Sequence, residues 1–219
     1  MSNNLCVIVG AGSGVSLSVA KRFAREGFEV TLVARRAEAL AEQTATLATG
    51  GAWVSSYVAD AGDPASLTQA FDRIKTEIGQ PAVLIYNAAA IRQGAPSTIN
   101  PIELEADFKV NVSGALMAAQ QVIPAMKAAG QGTILFTGGG LALKPFARYT
   151  SLAIGKAGMR ILALCLAQEL APANIHAATV TIAGFVKPGT HFDPDLIAES
   201  FWTLHSQPKA QWQAEVVYE

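Results

Sequence analysis

The chain has 219 residues, 51% of them apolar, enough for one substantial core and too short to favour two ordinary domains. Sixteen basic against seventeen acidic residues leave a net charge of −1, with no basic run dense enough to track a phosphate backbone, so nucleic acid is not an expected partner. Cys6 and Cys165 both lie in apolar segments and read as small hydrophobes, not as a disulfide or metal pair, and no basic-then-apolar leader follows Met1. The expectation is a cytoplasmic protein without a membrane span.

In chain order, residues 5–9 form an apolar run broken by Gly10, Gly12 and Gly14, and an amphipathic segment begins at Val15 and continues through Val19 and Phe23. That is strand, tight loop, helix. The pattern repeats as strand 29–34 with helix 37–49, and as strand 53–58 with helix 66–78. Strand four covers 83–86, and the turn-rich stretch 87–100 crosses the mouth of the sheet. Pro101 opens a helical region that runs towards Met126 with a bend near Gly114. Strand five covers 133–137 and is followed by three glycines; a long apolar helix covers 149–170, strand six 176–182, a helix 194–205 and a last strand 215–218. Alternation at these lengths predicts an α/β fold, a Rossmann-like doubly wound parallel sheet in a single three-layer domain. Ligands should sit beyond the carboxyl ends of its strands.

Gly10-Ala11-Gly12-Ser13-Gly14, placed between a strand and the helix that opens at Val15, can bring backbone donors to a pyrophosphate; an ordinary strand-to-helix turn is the alternative. Together with Asp60, Asn87-Ala88, Asn111 and Lys156, this loop makes the chain resemble the short-chain dehydrogenase/reductase family over nearly its whole length. The resemblance implies that Asp60 and Ala61 lie near the adenine and that Asn87, Ala88 and Ala89 form the cofactor wall. It implies that Asn111 supports a water and the local backbone, that Lys156 binds the nicotinamide ribose, and that Gly184 and Val186 complete the cofactor contacts. A capping aspartate, a turn asparagine and a polar residue at a helix irregularity are the plain alternatives. Strand two ends in Arg35-Arg36, with no acidic residue to accept from an unphosphorylated ribose, so a 2′-phosphate and NADP are expected over NAD.

The reaction centre departs from the family pattern of a serine thirteen residues before a tyrosine that precedes the lysine by four. Those positions hold Gly139 and Leu152, and neither carries a hydroxyl. A phenol remains at Tyr149, and a Tyr-x6-Lys spacing with Ser16 at the place of the third family glycine is similar to the enoyl reductases. On a regular helix seven residues return to nearly the same face, so Tyr149 and Lys156 are expected to border one cleft. The resemblance then implies hydride transfer to or from a small carbonyl, alcohol or conjugated enoyl substrate, with Tyr149, Lys156 and Asn111 as the catalytic set and no metal. A catalytically inactive NADP-binding or interaction protein is the alternative. The substrate-binding segment, around 185–193, looks severely shortened, and Ile91, Leu141, Leu143, Phe146 and Phe185 are candidates for an apolar surface. Two broadly apolar helices, 102–126 and 149–170, predict a homodimer or homotetramer.

Overall fold

The computed structural model describes residues 4–219, so the reading of the first three residues lies outside it. Seven strands form one parallel sheet: β1 (Leu5–Val9), β2 (Glu29–Ala34), β3 (Val54–Val58), β4 (Val83–Tyr86), β5 (Gly132–Gly139), β6 (Ile175–Ile182) and β7 (Glu215–Tyr218). Their order is β3-β2-β1-β4-β5-β6-β7, which reverses direction between β1 and β4 and opens a crevice at their carboxyl ends. Every residue of β1, β4 and β6 is buried, as expected of parallel strands covered on both faces.

Helices α1 (Val15–Arg25), α2 (Ala37–Thr49) and α7 (Pro194–Ser206) cover one face, while α3 (Pro64–Glu77), α5 (Gly114–Ala129) and α6 (Thr150–Leu170) cover the other. Strand alternation divides the core accordingly. Val7, Val9, Leu84, Tyr86, Ile134 and Phe136 pack with α3, α5 and α6, whereas Cys6, Ile8, Val83, Ile85 and Leu135 pack with α1, α2 and α7. This three-layer α/β architecture is the one expected from the sequence.

Local chemistry sets the helix starts. α3, α7 and α4 (Pro101–Phe108) each begin with a proline behind an Asp or Asn cap: Asp63 accepts from Ala65 N, Asp193 from Asp195 N and Asn100 from Ile102 N. α1 has no side-chain cap, which leaves its first backbone donors open.

Three details differ from expectation. β5 continues through Gly138 and Gly139, because β6 supplies ladder partners at Thr181 and Ile182. The bend before Gly114 is a full π-helical turn, Lys109–Ser113. Tyr149 lies outside α6, at its cap position, with φ −121° and ψ 40°. The stretch Thr150–Ala173 is long and apolar enough to cross a membrane by length and composition; here Met159, Ala163, Leu166 and Leu170 of it pack into the sheet core.

Candidate active site

Backbone contact builds the cofactor end. Gly10 follows β1 with φ +87°, and a Cβ there would stand 2.2 Å from the Ala88 nitrogen, so only glycine lets the two strand ends approach this closely. Asn87 locks the approach: its Nδ2 donates to the Gly10 carbonyl at 2.9 Å, while its own N–H reaches the Val9 carbonyl at 2.8 Å. Further along the loop, Ser16 Oγ accepts from Gly12 N at 2.8 Å. A Cβ on Gly14 would meet nothing within 4 Å. Open space, an uncapped helix start and the absence of acidic residues from the first turn of α1 leave room and backbone donors at Ser13, Gly14 and Val15 that could hold a pyrophosphate.

Beside this loop lies a cleft of two adjoining compartments, of about 620 and 560 Å³. The first is lined by Gly10, Arg35, Arg36, Asp60, Ala61, Asn87, Ala88 and Ala89; Arg35, Asp60, Ala89, Ile91 and Val110 are shared with the second. Both arginines are exposed, and among the described residues neither pairs with a carboxylate. Asp60 makes a local turn, its Oδ1 accepting from Gly62 N at 2.8 Å, while the cap of α3 is Asp63.

At the reaction centre, Asn111 sits in the π-turn and is 1% exposed. Its Oδ1 accepts from Ala90 N at 2.8 Å and its Nδ2 donates to the Ala90 carbonyl at 3.3 Å, so both ends of the amide hold the backbone that follows β4. The helix irregularity has its own support, since the Tyr86 hydroxyl donates to the Val110 carbonyl at 2.5 Å. Gly155 of α6 presses on this turn: a Cβ there would lie 2.6 Å from Asn111 Cβ.

Lys156 is buried, and its Nζ donates to the Thr137 carbonyl at 2.6 Å. Burial without a carboxylate partner pulls its amine down to about 8. Its aliphatic stem passes over Gly139, where a Cβ would sit 3.5 Å from Lys156 Cγ, an ordinary contact distance.

Tyr149 is the cap residue of α6, its carbonyl accepting from Ala153 N at 2.9 Å, so the regular-helix argument for a face shared with Lys156 holds only from Thr150 onward. Tyr149 also bridges Gly94, its ring lies 6.5 Å from that of Phe146, and its hydroxyl accepts from Gln93 Nε2 at 3.3 Å. Arg148 holds the same Gln93 from the other side, at 2.8 and 3.1 Å. Gly184 and Val186 are exposed in the 183–193 turn and line neither compartment. That turn is braced by Phe192 packed over Gly184 and by the Tyr218 hydroxyl donating to the His191 carbonyl at 2.8 Å.

One group of site residues was missed in the sequence. Asp107 is 3% exposed and accepts from Arg92 and from Ser151, which is 2% exposed. Its signal was present, an acidic residue one helical turn before Asn111, but its partners lie 15 and 44 residues away. Among the described residues no group of His, Cys, Asp and Glu could hold a metal ion.

The short chain dehydrogenase family model matches residues 4–194. The 2,3-dihydro-2,3-dihydroxybenzoate dehydrogenase of Bacillus subtilis is 28% identical over 181 residues, 83% of this chain and 69% of that one. The acetoacetyl-CoA reductase of Cupriavidus necator is 27% identical over 188 residues, 83% of this chain and 74% of that one. Among solved structures, a short-chain dehydrogenase from Rhodopseudomonas palustris superposes with a TM-score of 0.88 at 28% identity, covering 99% of this chain and 98% of its own. A metagenomic short-chain oxidoreductase solved with NADP shares the fold with a TM-score of 0.90 at 24% identity, covering 99% and 97%. With a family match over residues 4–194 and a parallel sheet of this strand order, the chain belongs to the short chain dehydrogenase family.

Proposed function

We propose that the chain is an NADP(H)-dependent oxidoreductase acting on a small carbonyl, alcohol or conjugated enoyl compound. The observation that carries this reading is a cleft lined by Gly10, Ala11, Arg35 and Arg36, in which neither arginine pairs with a carboxylate among the described residues; Gly10 and Ala11 lead on to the uncapped start of α1. Ser13, Gly14 and Val15 hold the pyrophosphate, Arg35 and Arg36 the 2′-phosphate, and Asp60, Ala61, Asn87, Ala88 and Ala89 the adenine side. The relative of the same fold solved with NADP supports this choice of nucleotide. When bound, the nicotinamide supplies or accepts a hydride.

Lys156 leaves the Thr137 carbonyl to meet the nicotinamide ribose, and Gly184 and Val186 come to the same end from the turn after β6. Asn111 keeps the cofactor wall in place. Tyr149 orients the substrate oxygen: its hydroxyl accepts one long bond from Gln93, which leaves its own proton free to donate to a carbonyl. The Tyr-x6-Lys arrangement favours conjugated enoyl substrates, because an enolate disperses the charge that an alkoxide would concentrate. The 183–193 turn is a shortened substrate segment within a single domain.

The exposed side chains of Ile102, Phe108, Leu116, Ile154 and Ile161 on α4, α5 and α6 support a homodimer or homotetramer. The free thiols of Cys6 and Cys165 accord with a cytoplasmic setting, and the substrate is a small molecule, with neither nucleic acid nor membrane as partner.

The test is calorimetric titration with NADPH and NADH, followed by NADPH oxidation against carbonyl and enoyl thioester panels. Tighter NADPH binding with turnover that falls on Tyr149→Phe supports the reading. A second reading, a nucleotide-binding protein without turnover, is favoured by Gly139, Leu152 and the engaged Lys156 amine. Binding with no turnover on either panel selects it, and no nucleotide binding removes both.

A further inference from the structure

Asp107 has no role in the nucleotide site proposed above, yet it is built into the same wall. The segment carrying Ala89, Ala90 and Ile91 separates the two cleft compartments, with Ala89 and Ile91 lining both. Two residues one helical turn apart hold this segment to the bent helix formed by α4, the π-turn and α5. Asn111 takes both backbone groups of Ala90, and Asp107 takes Arg92 through Nε at 3.1 Å and a terminal nitrogen at 3.4 Å. Arg92 also reaches Glu103 at 2.8 Å, which places its guanidinium between two carboxylates of α4.

The same carboxylate reaches the entrance of α6. Its Oδ2, which takes Arg92 Nε, also accepts from Ser151 Oγ at 2.7 Å, and Ser151 adjoins Leu152 in the first turn of α6. One buried carboxylate of α4, next to the π-turn, therefore joins the proposed cofactor wall to the start of the helix that carries Lys156. Burying a carboxylate is costly, and an apolar residue of similar size commonly holds such a position at no loss of stability. What an apolar residue cannot do is fix a guanidinium and a hydroxyl in direction at once.

We infer that Asp107 is a positioning residue, which with Arg92 sets the cofactor wall and couples it to the entrance of α6. The inference rests on the nucleotide-binding reading. Releasing the fork lets the Ala89–Ile91 segment move out of line with the adenine side of the cleft, while the sheet and both cores stay as they are.

Three variants of the full chain test it: Arg92→Ala, Asp107→Asn and Ser151→Ala. Amide hydrogen exchange without nucleotide reads the wall, calorimetry reads NADPH affinity, and thermal unfolding reads global stability. Arg92→Ala and Asp107→Asn are each expected to speed exchange at the Ala90 amide and to weaken NADPH about tenfold. The double variant should be no worse than the weaker-binding single, because both remove one link, and Arg92→Lys should recover only part of the affinity since it lacks the fork. Ser151→Ala should show the smaller effect of losing one neutral donor. Arg92 is partly exposed, so its alanine variant remains informative where Asp107→Asn fails to fold. Unchanged Ala90 exchange and unchanged NADPH affinity in folded Arg92→Ala overturn the inference, even with a lowered melting point. Failure of the wild-type chain to bind NADPH overturns the nucleotide reading itself, and is seen separately from the exchange result.

Discussion

The loop after β1 and the entrance to α6 stand at the same end of one sheet, and they are built in opposite ways. Around Gly10 nearly every contact is backbone to backbone or a side chain closing on backbone, with Asn87 on the Gly10 carbonyl and Gly10 N on the Val33 carbonyl at 2.8 Å. Such a structure specifies where a ligand's phosphates go and tolerates little change. Around α6 the positions that would act on a substrate are side chains, and here they are replaced or turned elsewhere: Gly139, Leu152, a Tyr149 hydroxyl on Gln93, and a Lys156 amine on a strand carbonyl. The cofactor end depends on backbone shape, whereas the reaction end depends on the identity of a few groups.

The largest expected effect breaks the first region. Gly10→Ala places a methyl 2.2 Å from the Ala88 nitrogen in a φ of +87°, where neither backbone can yield without opening the β1–β4 crevice. We expect loss of soluble protein, or a drop in melting temperature together with loss of NADPH binding, measured by calorimetry on any folded fraction. An unchanged affinity would mean that the crevice is not the nucleotide site.

The second region can be sharpened by rebuilding it. A Cβ at Gly139 has ordinary contact with the Lys156 stem, so Gly139→Ser fits, and Leu152 is half-buried on the same helix as the lysine. The double variant Gly139→Ser with Leu152→Tyr restores the family's hydroxyl pair, and general acid catalysis of this kind contributes roughly 10²–10⁴-fold. NADPH-dependent reduction of simple ketones should rise by about 10² or more over the parent chain. No rise in a variant that still binds NADPH would show that the altered wall, and not the missing hydroxyls alone, blocks the chemistry.

Lys156 gives the next effect, and its direction is unusual for a lysine. Its amine titrates near 8 in the folded chain against an ordinary 10.5, so between those values the unfolded chain holds a proton that the folded chain has lost. Stability should therefore rise with pH through this window, by an upper bound of about 3 kcal/mol. Other buried groups oppose the trend at higher pH: the Cys6 thiol, pushed up by burial from its ordinary 9, and above 10 Tyr86 and Tyr57, the latter pushed up to about 12 by burial and by its bond to Glu77. These groups are common to both chains, so urea unfolding at pH 8, 9 and 10 should show the wild type gaining stability relative to Lys156→Met. A difference between the two chains that stays constant over this range would mean that the amine is solvated.

These contrasts explain what the sequence made legible. Buried parallel strands are continuous apolar runs, and the Asp-Pro and Asn-Pro pairs before α3, α4 and α7 mark helix starts within two residues, so elements could be placed from local chemistry. The glycine loop and Asn87 were equally local. What was not legible depended on distant partners: the extension of β5 through two glycines needs β6, some forty residues on, and the burial of Asp107 needs Arg92 and Ser151. The helix start at Tyr149 was one residue early for a related reason. The spacing of Tyr149 from Lys156 implied a shared helical face only if the helix began one residue earlier, and the bridge to Gly94 holds it outside.

The smallest effect separates two neighbours within the cofactor region. Arg35 lines both compartments, whereas Arg36 lines only one and serves through its backbone as the cap residue of α2, with its carbonyl accepting from Leu40 N at 3.1 Å. Arg35→Ser should therefore cost more NADPH affinity than Arg36→Ser. A guanidinium-to-phosphate contact contributes about 1.5–3 kcal/mol when shielded and less when solvent screens it, so a loss of about tenfold is expected for Arg35→Ser and severalfold for Arg36→Ser. NADH affinity should change little in either variant, since NADH lacks the 2′-phosphate to which the guanidinium groups would donate. Measuring both nucleotides at low and moderate salt checks the assignment, because the preference for NADPH over NADH should shrink as salt screens a 2′-phosphate contact. Equal losses for both nucleotides would instead mean that the arginines shape the end of β2 without reading the phosphate.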